Sequence, residues 1–369
     1  MRYCTRCVMP DTKPGIIFNS EGVCSACVSN IGKRMIDWDE RGRELQAICD
    51  SIRGTNGNGY DCIVPVSGGK DSTYQAYMMK HVYKMHTLCV CIAPHVQTEE
   101  GIANLNAMVE NVGVDLIKIV IKPETFREVR KQAFILKGEP NWAEHLTMFS
   151  SVARTAMMYR APLVVWGEDI AAEFGGRGGE KRSASADNIV RNDLIKDERI
   201  DRFLDGKQVQ EKDIFFYRHP DIEELKRRNI RSIYLGYYHW WDGQKNYIKA
   251  KELGFTGRKA GPLSGNLIDY DNIDEKLCEI NIWFKFLKFG FWRPTDQACY
   301  QLWNDRMTRA EAVKVVNELQ YQIPSEYIGE FCEFHKVTEK EFWENVDRYR
   351  NKEIFHQVKG EWRLKTPLV

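Results

Sequence analysis

With 369 residues, 43% of them hydrophobic and 28% charged, the chain is long enough for two or three domains and is composed like an ordinary globular protein. A net charge of +1 excludes a whole-molecule basic field for nucleic acid, and runs such as Lys226-Arg227-Arg228 read as solvated helix faces. No stretch is long and apolar enough to insert in a membrane, and Met1-Arg2-Tyr3-Cys4 does not read as a signal peptide; the expected compartment is the cytoplasm, where the 11 cysteines would be thiols or metal ligands.

Residues 1–30 read as a separate small unit. Cys4-Thr5-Arg6-Cys7 and Cys24-Ser25-Ala26-Cys27 are two C-x-x-C turns, each aiming two sulfurs at one point, at a spacing suited to a four-cysteine zinc site. The unit has few apolar residues, and ligation at about 10–16 kcal/mol would supply the missing stability. Four protein ligands leave no open position, so the zinc would be structural; a redox pair or an iron–sulfur cluster are the rival readings. Residues 31–59 read as a charged helix followed by the linker Gly54-Thr55-Asn56-Gly57-Asn58-Gly59.

From Tyr60 apolar runs alternate with helical patterns. Strands are expected over 61–66, 87–93, 114–121 and 162–166, and helices over 71–84, 98–111, 123–136 and 143–159. That alternation predicts an α/β core over 60–190, with a parallel sheet covered on both faces. Its ligand edge would gather the loops 67–72, 94–101 and 167–177.

The first of these loops carries the sharpest signal. Ser67-Gly68-Gly69-Lys70-Asp71-Ser72 stands between a strand and a helix. Two glycines let the backbone bend and approach a ligand closely, and the helix start presents N–H groups to an anion. It is not a Walker A loop, because Asp71 stands where Ser or Thr should follow the lysine, and no G-x-G-x-x-G is present. In the second loop Thr98 would cap a helix, and His95 either contacts a ligand or faces solvent. The third, Gly167 to Glu180, sets Glu168, Asp169 and Glu173 among glycines and reads as a mobile flap that orients a substrate, binds Mg²⁺ or acts as a base.

Residues 191–369 read as a mostly helical substrate or partner region, with helices over 273–289, 308–319 and within 321–350, the last capped by Thr338. Tyr234 to Gly243 is densely aromatic: a sugar-stacking wall or a core patch. Arg293 and Asp296 would reach a carboxylate or phosphate, or pair structurally.

The hexapeptide Ser67–Ser72 resembles the S-G-G-x-D-S signature of the PP-loop ATP pyrophosphatases. Together with the paired C-x-x-C turns, Trp166-Gly167-Glu168-Asp169, Glu173-Phe174-Gly175-Gly176 and Lys288 to Asp296, the chain is similar to the N-acetyl sugar amidotransferases of the WbpG/PseA type. The resemblance implies an adenine nucleotide α-hydrolase-like fold, ATP and Mg²⁺ as cofactors beside the structural zinc, and an acetamidino sugar as product for O-antigen or pseudaminic-type acids. The acetamido oxygen would attack the α-phosphate, pyrophosphate would leave, and ammonia would displace AMP. Ser67, Gly68, Gly69, Asp71 and Ser72 would hold phosphates, with Gly167 alongside; Lys70 occupies the variable position and would point outward. Asp71, Glu168, Asp169 and Glu173 are the catalytic candidates, and Cys4, Cys7, Cys24 and Cys27 the metal ligands. The chain shows no glutaminase of its own, so the resemblance implies a separate glutaminase with a channelling subunit, similar to the pair in histidine biosynthesis. A tRNA thiolase is the rival, disfavoured by the near-neutral charge and by the placement of Cys62, Cys89 and Cys91 in expected strands. An ATP-binding zinc scaffold is the non-enzymatic rival.

Overall fold

The computed structural model describes residues 1–176, 182–187, 189, 200–203 and 209–369. Five parallel strands form the central sheet: β1 (Cys62–Pro65), β2 (Thr87–Ile92), β3 (Asp115–Ile119), β4 (Leu163–Trp166) and β5 (Arg231–Tyr234), in the order β3-β2-β1-β4-β5. The order reverses between β1 and β4, so the chain leaves a crevice beyond the carboxyl ends of those two strands.

The helices that position this crevice follow in chain order. α1 (Ser25–Gly32) and α2 (Trp38–Ile52) precede the sheet. α3 (Lys70–Tyr77), α4 (Glu99–Val112), α5 (Pro123–Lys137) and α6 (Trp142–Tyr159) connect its first four strands. α7 (Ile170–Phe174) follows β4, α8 (Ile222–Arg227) precedes β5, and α9 (Leu235–Tyr238) and α10 (Gly243–Glu252) follow it. The remainder is α11 (Cys278–Phe289), α12 (Arg293–Trp303), α13 (Arg309–Leu319), α14 (Ile328–His335), α15 (Glu339–Tyr349) and a terminal hairpin of β6 (Phe355–Val358) and β7 (Glu361–Leu364).

Period-two alternation splits each strand between two cores. Ile63, Leu88, Val90, Val164 and Trp166 pack against Phe126, Trp142 and Phe149 of α5 and α6. Cys62, Val64, Cys89, Cys91, Leu163 and Val165 pack with Leu105, Met108 and Trp241 on the other face. The three strand cysteines are thus core residues, and burial pushes the thiols of Cys62 and Cys91 up to about 12. A third core joins Phe134, Phe284, Trp292, Phe331 and Phe342 in the C-terminal region.

The first four strands, Thr98 as cap of α4 and Thr338 as cap of α15 stand where the sequence puts them. The sheet runs past residue 190, however. β5 has only four residues, of which Ile233 alone is buried, so its apolar pattern is too short to read. α12 also lies inside a stretch that reads as a connection, because Pro294 falls in its first turn, the one place where a proline fits a helix.

The cysteine unit is not isolated. Its apolar side chains share a core with Phe291, Ala298, Trp303, Ala312, Val316 and Leu368. The expected flap is also more fixed than its glycines imply. Gly175, at φ +72°, closes α7 so tightly against α1 that an added Cβ would stand 2.7 Å from the Ala26 nitrogen. The remaining flap residues, 177–180, lie outside the described residues.

Glu173 is the hinge of this packing. It is 1% exposed, forms a buried ion pair with Lys33, and accepts from Arg182 at 2.8 Å. Removing one partner of such a pair strands the other charge in the interior. Glu173→Ala is therefore expected to lower unfolding stability by about 3–5 kcal/mol, measured by urea titration followed by tryptophan fluorescence.

Candidate functional site

The crevice opens as a cavity of about 570 Å³ lined by the β1–α3 turn, the end of β4, the start of α6 and a wall of residues between 268 and 301. In the turn, Gly68 has φ +89°, and a Cβ there would lie 2.8 Å from the Gly101 carbonyl oxygen and 3.0 Å from Leu105. Only glycine allows both that conformation and that approach. The Gly69 N–H donates to Ser67 Oγ at 3.3 Å, and the Ser67 N–H to Ser72 Oγ at 3.3 Å. Ser72 and Thr73 hydroxyls both donate to the Gly69 carbonyl at 3.0 Å. The Thr73 N–H makes the first bond of α3, to the same carbonyl, which leaves the earlier N–H groups of the helix to face an anion.

Lys70 does not point outward. It is 9% exposed, and its Nζ donates to Asp71 Oδ2 at 2.9 Å and to Asp271 Oδ1 at 2.6 Å. Asp71 also accepts from Asn246 Nδ2 at 2.8 Å, and Asp271 from Gln297 Nε2 at 3.1 Å. Despite its burial, the Lys70 charge holds Asp271 down to about 2.

Glu168 and Asp169 both line the cavity. Burial, reinforced by neighbouring Asp71, pushes Glu168 up to about 8. Asp169 is the N-cap of α7, accepting from the N–H groups of Ala171 at 3.1 Å and Ala172 at 3.4 Å, and burial raises it as well. Gly167 lies so close to Trp241 that a Cβ would sit 3.1 Å from its ring. Glu173 departs from its expected place: both its oxygens are engaged by Lys33 and Arg182, and it does not line the cavity. His95 likewise turns away, its ring edge-on to Phe126 at 4.7 Å.

The aromatic stretch divides. Tyr234 and Trp241 face the cavity, while Tyr237 lies under Arg41 and Trp240 meets Trp38, both on α2. Arg293 and Asp296 line the cavity; Arg293 approaches Glu279 at 3.7 Å and Asp296 pairs with Lys285. Several cavity residues escape a reading of the sequence, Asp271, Glu275, Glu144 and Gln297, and so does Asn246, which donates to Asp71. The one signal was the run Asp269-Tyr270-Asp271-Asn272-Ile273-Asp274-Glu275, with four carboxylates in seven positions. Glu144 and Asn246 sit on helices with nothing in their spacing to mark them.

Apart from the cavity, the four N-terminal cysteines form a compact group. Their sulfurs all lie within 4.8 Å of one another, with Cys4–Cys27 at 3.8 Å and Cys7–Cys24 at 3.7 Å. A tetrahedral ion with metal–sulfur bonds of ~2.3 Å spaces its ligands at ~3.8 Å. The N–H groups of Arg6, Cys7 and Cys24 point at Cys4 Sγ, and the Trp303 indole N–H donates to Cys27 Sγ at 3.2 Å. Such donors favour thiolates, the form that binds metal.

Strand order, glycine turn and cavity together make a parallel α/β fold with a ligand crevice where the strand order reverses. The C-terminal part is more specific: residues 265–368 match the family model described as LPS biosynthesis protein WbpG-like, C-terminal domain. An uncharacterized protein of Methanocaldococcus jannaschii, MJ1599, is 28% identical over 115 residues, which span 31% of this chain and 41% of that protein's length. Among solved structures, an NH3-dependent NAD synthetase from Campylobacter jejuni is 14% identical, covering 53% of this chain and 93% of that one at a TM-score of 0.29. An NMN synthetase from Francisella tularensis is 17% identical, covering 53% and 96% at 0.28. The U34-tRNA thiolase NcsA from Methanococcus maripaludis, with its [4Fe-4S] cluster, is 13% identical, covering 83% and 87% at 0.33.

Two measurements check this geometry. Because the folded Asp271 carboxyl is held below its ordinary value, its pairing stabilises the fold above about pH 4 and is lost as the pH falls toward 2. Asp271→Asn is expected to remove about 2 kcal/mol from the acid limb of the stability curve, read from urea midpoints between pH 5 and 2. Metal analysis of the purified chain is expected to give one ion per chain, and Cys27→Ser to lower both metal content and melting temperature.

Proposed function

We propose that the chain is an ATP-dependent amidotransferase that converts the acetamido group of an N-acetylated sugar or sugar nucleotide into an acetamidino group, with release of AMP and pyrophosphate. The observation that carries this reading is the pairing of walls. The Ser67–Ser72 turn forms one side of the cavity, and the WbpG-like region contributes Asp271, Arg293, Asp296 and Gln297 to the side facing it.

The chemistry follows from what an amide lacks. Its carbon is a poor electrophile and its oxygen a poor leaving group. Attack of that oxygen on the α-phosphorus of ATP breaks the bond to the β-phosphate oxygen and gives an O-adenylyl imidate. Ammonia adds at the imidate carbon, AMP departs with the former acetamido oxygen, and loss of a proton leaves the amidine. Ser67, Ser72 and the N–H groups at the start of α3 hold the departing pyrophosphate, while Lys70 fixes Asp71 and Asp271 about them. Asp71, Glu168 and Asp169 offer the hard oxygens that suit Mg²⁺, which would neutralise phosphate charge when bound.

Ammonia comes, on this reading, from a separate glutaminase with a channelling subunit. The four cysteines hold zinc in a structural role. Their sulfur spacing suits a single ion, whereas an iron–sulfur cage would stand between the sulfurs and hold them further apart.

The test supplies ATP, Mg²⁺, ammonium chloride and an acetamido sugar nucleotide labelled with ¹⁸O in the acetamido oxygen. The expected result is labelled AMP, unlabelled pyrophosphate and a sugar product lighter by about one mass unit relative to unlabelled substrate, bearing a basic amidine. Ser67→Ala with Asp71→Ala should cut AMP release by at least about 100-fold. ADP as product, or AMP without label, would overturn the proposal.

A further inference from the structure

Buried polar atoms nearly always have hydrogen-bond partners, and one left bare costs about 1–3 kcal/mol. Five cavity-lining side chains nevertheless carry a buried polar atom without one: Gln75, His145, Trp166, Glu275 and Arg293. Three of these five are linked through shared neighbours around the start of α6: His145 and Trp166 both lie against Phe149, and Glu275 is joined to Glu144, the residue next to His145, through Arg130. Their bare atoms are the His145 Nδ1, the Trp166 indole Nε1 and the Glu275 Oε2. The Nε of Arg130 is also bare.

These groups are held in place by others. Arg130 is wholly buried, pairs with Glu144 and approaches Glu275 at 3.4 Å, and donates to Asn141 Oδ1 at 3.0 Å. Trp166 packs edge-on to Phe149, with centroids 5.3 Å apart and planes at 78°. Burial holds His145 down to about 4, so at neutral pH its ring has one donor and one acceptor nitrogen.

We propose that this part of the cavity is the seat of the acceptor's hydroxylated ring, with Trp166, His145 and Glu275 as its hydrogen-bonding contacts. The inference deepens the amidotransferase reading and rests on it for the identity of the ligand. The set offers an indole donor, a carboxylate acceptor and a histidine of either sense. Hydroxyl groups both donate and accept, so a ring carrying several of them satisfies all three. Phe149 and Trp166 form a right-angled corner, which suits a puckered ring with apolar C–H edges. The seat and the Ser67–Ser72 turn line one continuous cavity, so a ring held here can extend an acetamido arm toward the cradle.

The experiment measures binding without turnover. Full-length wild type, Trp166→Phe and Glu275→Gln are titrated calorimetrically with UDP-N-acetylglucosaminuronic acid, with N-acetylglucosamine, and with α,β-methylene-ATP. Trp166→Phe keeps the ring and removes only the N–H donor, and melting temperatures identify a variant that has lost its fold. The expected result is a loss of about tenfold or more in affinity for both sugar probes in each variant, with α,β-methylene-ATP binding unchanged. Saturation-transfer NMR should then show the pyranose protons of the bound probe losing contact with protein aromatics. Weakened α,β-methylene-ATP binding with unchanged sugar binding would make this the seat of the nucleotide base and overturn the proposal. Unchanged binding of all three probes would overturn it too. The two readings separate cleanly: sugar affinity that falls in the variants while no amidine is ever formed leaves the seat standing without the reaction. Amidine formation with unaltered sugar affinity does the reverse.

Discussion

One ammonium group joins the two regions that enclose the cavity. Lys70 belongs to the turn after β1, and Asp271 lies 201 residues later, in the region matched by the WbpG-like model. A lysine this deeply buried is tolerable only with compensating charge, and here two carboxylates supply it. The consequence is geometric. Asp271 is also tied to Gln297 on α12, so the wall opposite the cradle is fixed to the cradle itself. The cavity is bounded by a charge-paired seam rather than by two surfaces that merely face one another.

The same seam organises the remaining charges. Negative groups crowd the cradle side, with Asp71, Glu168 and Asp169 all lining the cavity, and the carboxyls of Glu168 and Asp169 are both driven upward by burial. Such an environment is poor for a free anion and good for a cation or for phosphates that bring one with them. Glu173 serves a different end: it anchors α7, and with it the Asp169 cap, to Lys33 beyond α1.

What the sequence disclosed was local. Ser67 to Ser72 is contiguous, and each side chain acts within one turn, so its chemistry survives in linear form. The cysteine turns are legible for the same reason, as are strands whose burial on both faces makes them continuous apolar runs. What it withheld was convergence. Nothing near Lys70 announces a partner at position 271, and Glu173 reads the same whether its carboxylate meets a ligand or a lysine. β5 was hidden because an edge strand buries little, and α12 because its proline signals a break everywhere except the first turn. The seat beside α6 was hidden because its members come from α6, β4 and the segment before α11, and Trp166 serves core and cavity at once.

The indole of Trp303 donates to Cys27, 276 residues earlier in the chain. During synthesis the cysteine turns therefore leave the ribosome long before the helices that will cover them. Until α12 and α13 arrive, most of the core that Val8, Met9, Val23 and Ala26 enter is missing. An ion held by the four sulfurs would add order to the segment in that interval. With an ion bound, the cysteine group would be a holding device in time as well as in space, keeping an early-made surface in its final shape for a late-made partner.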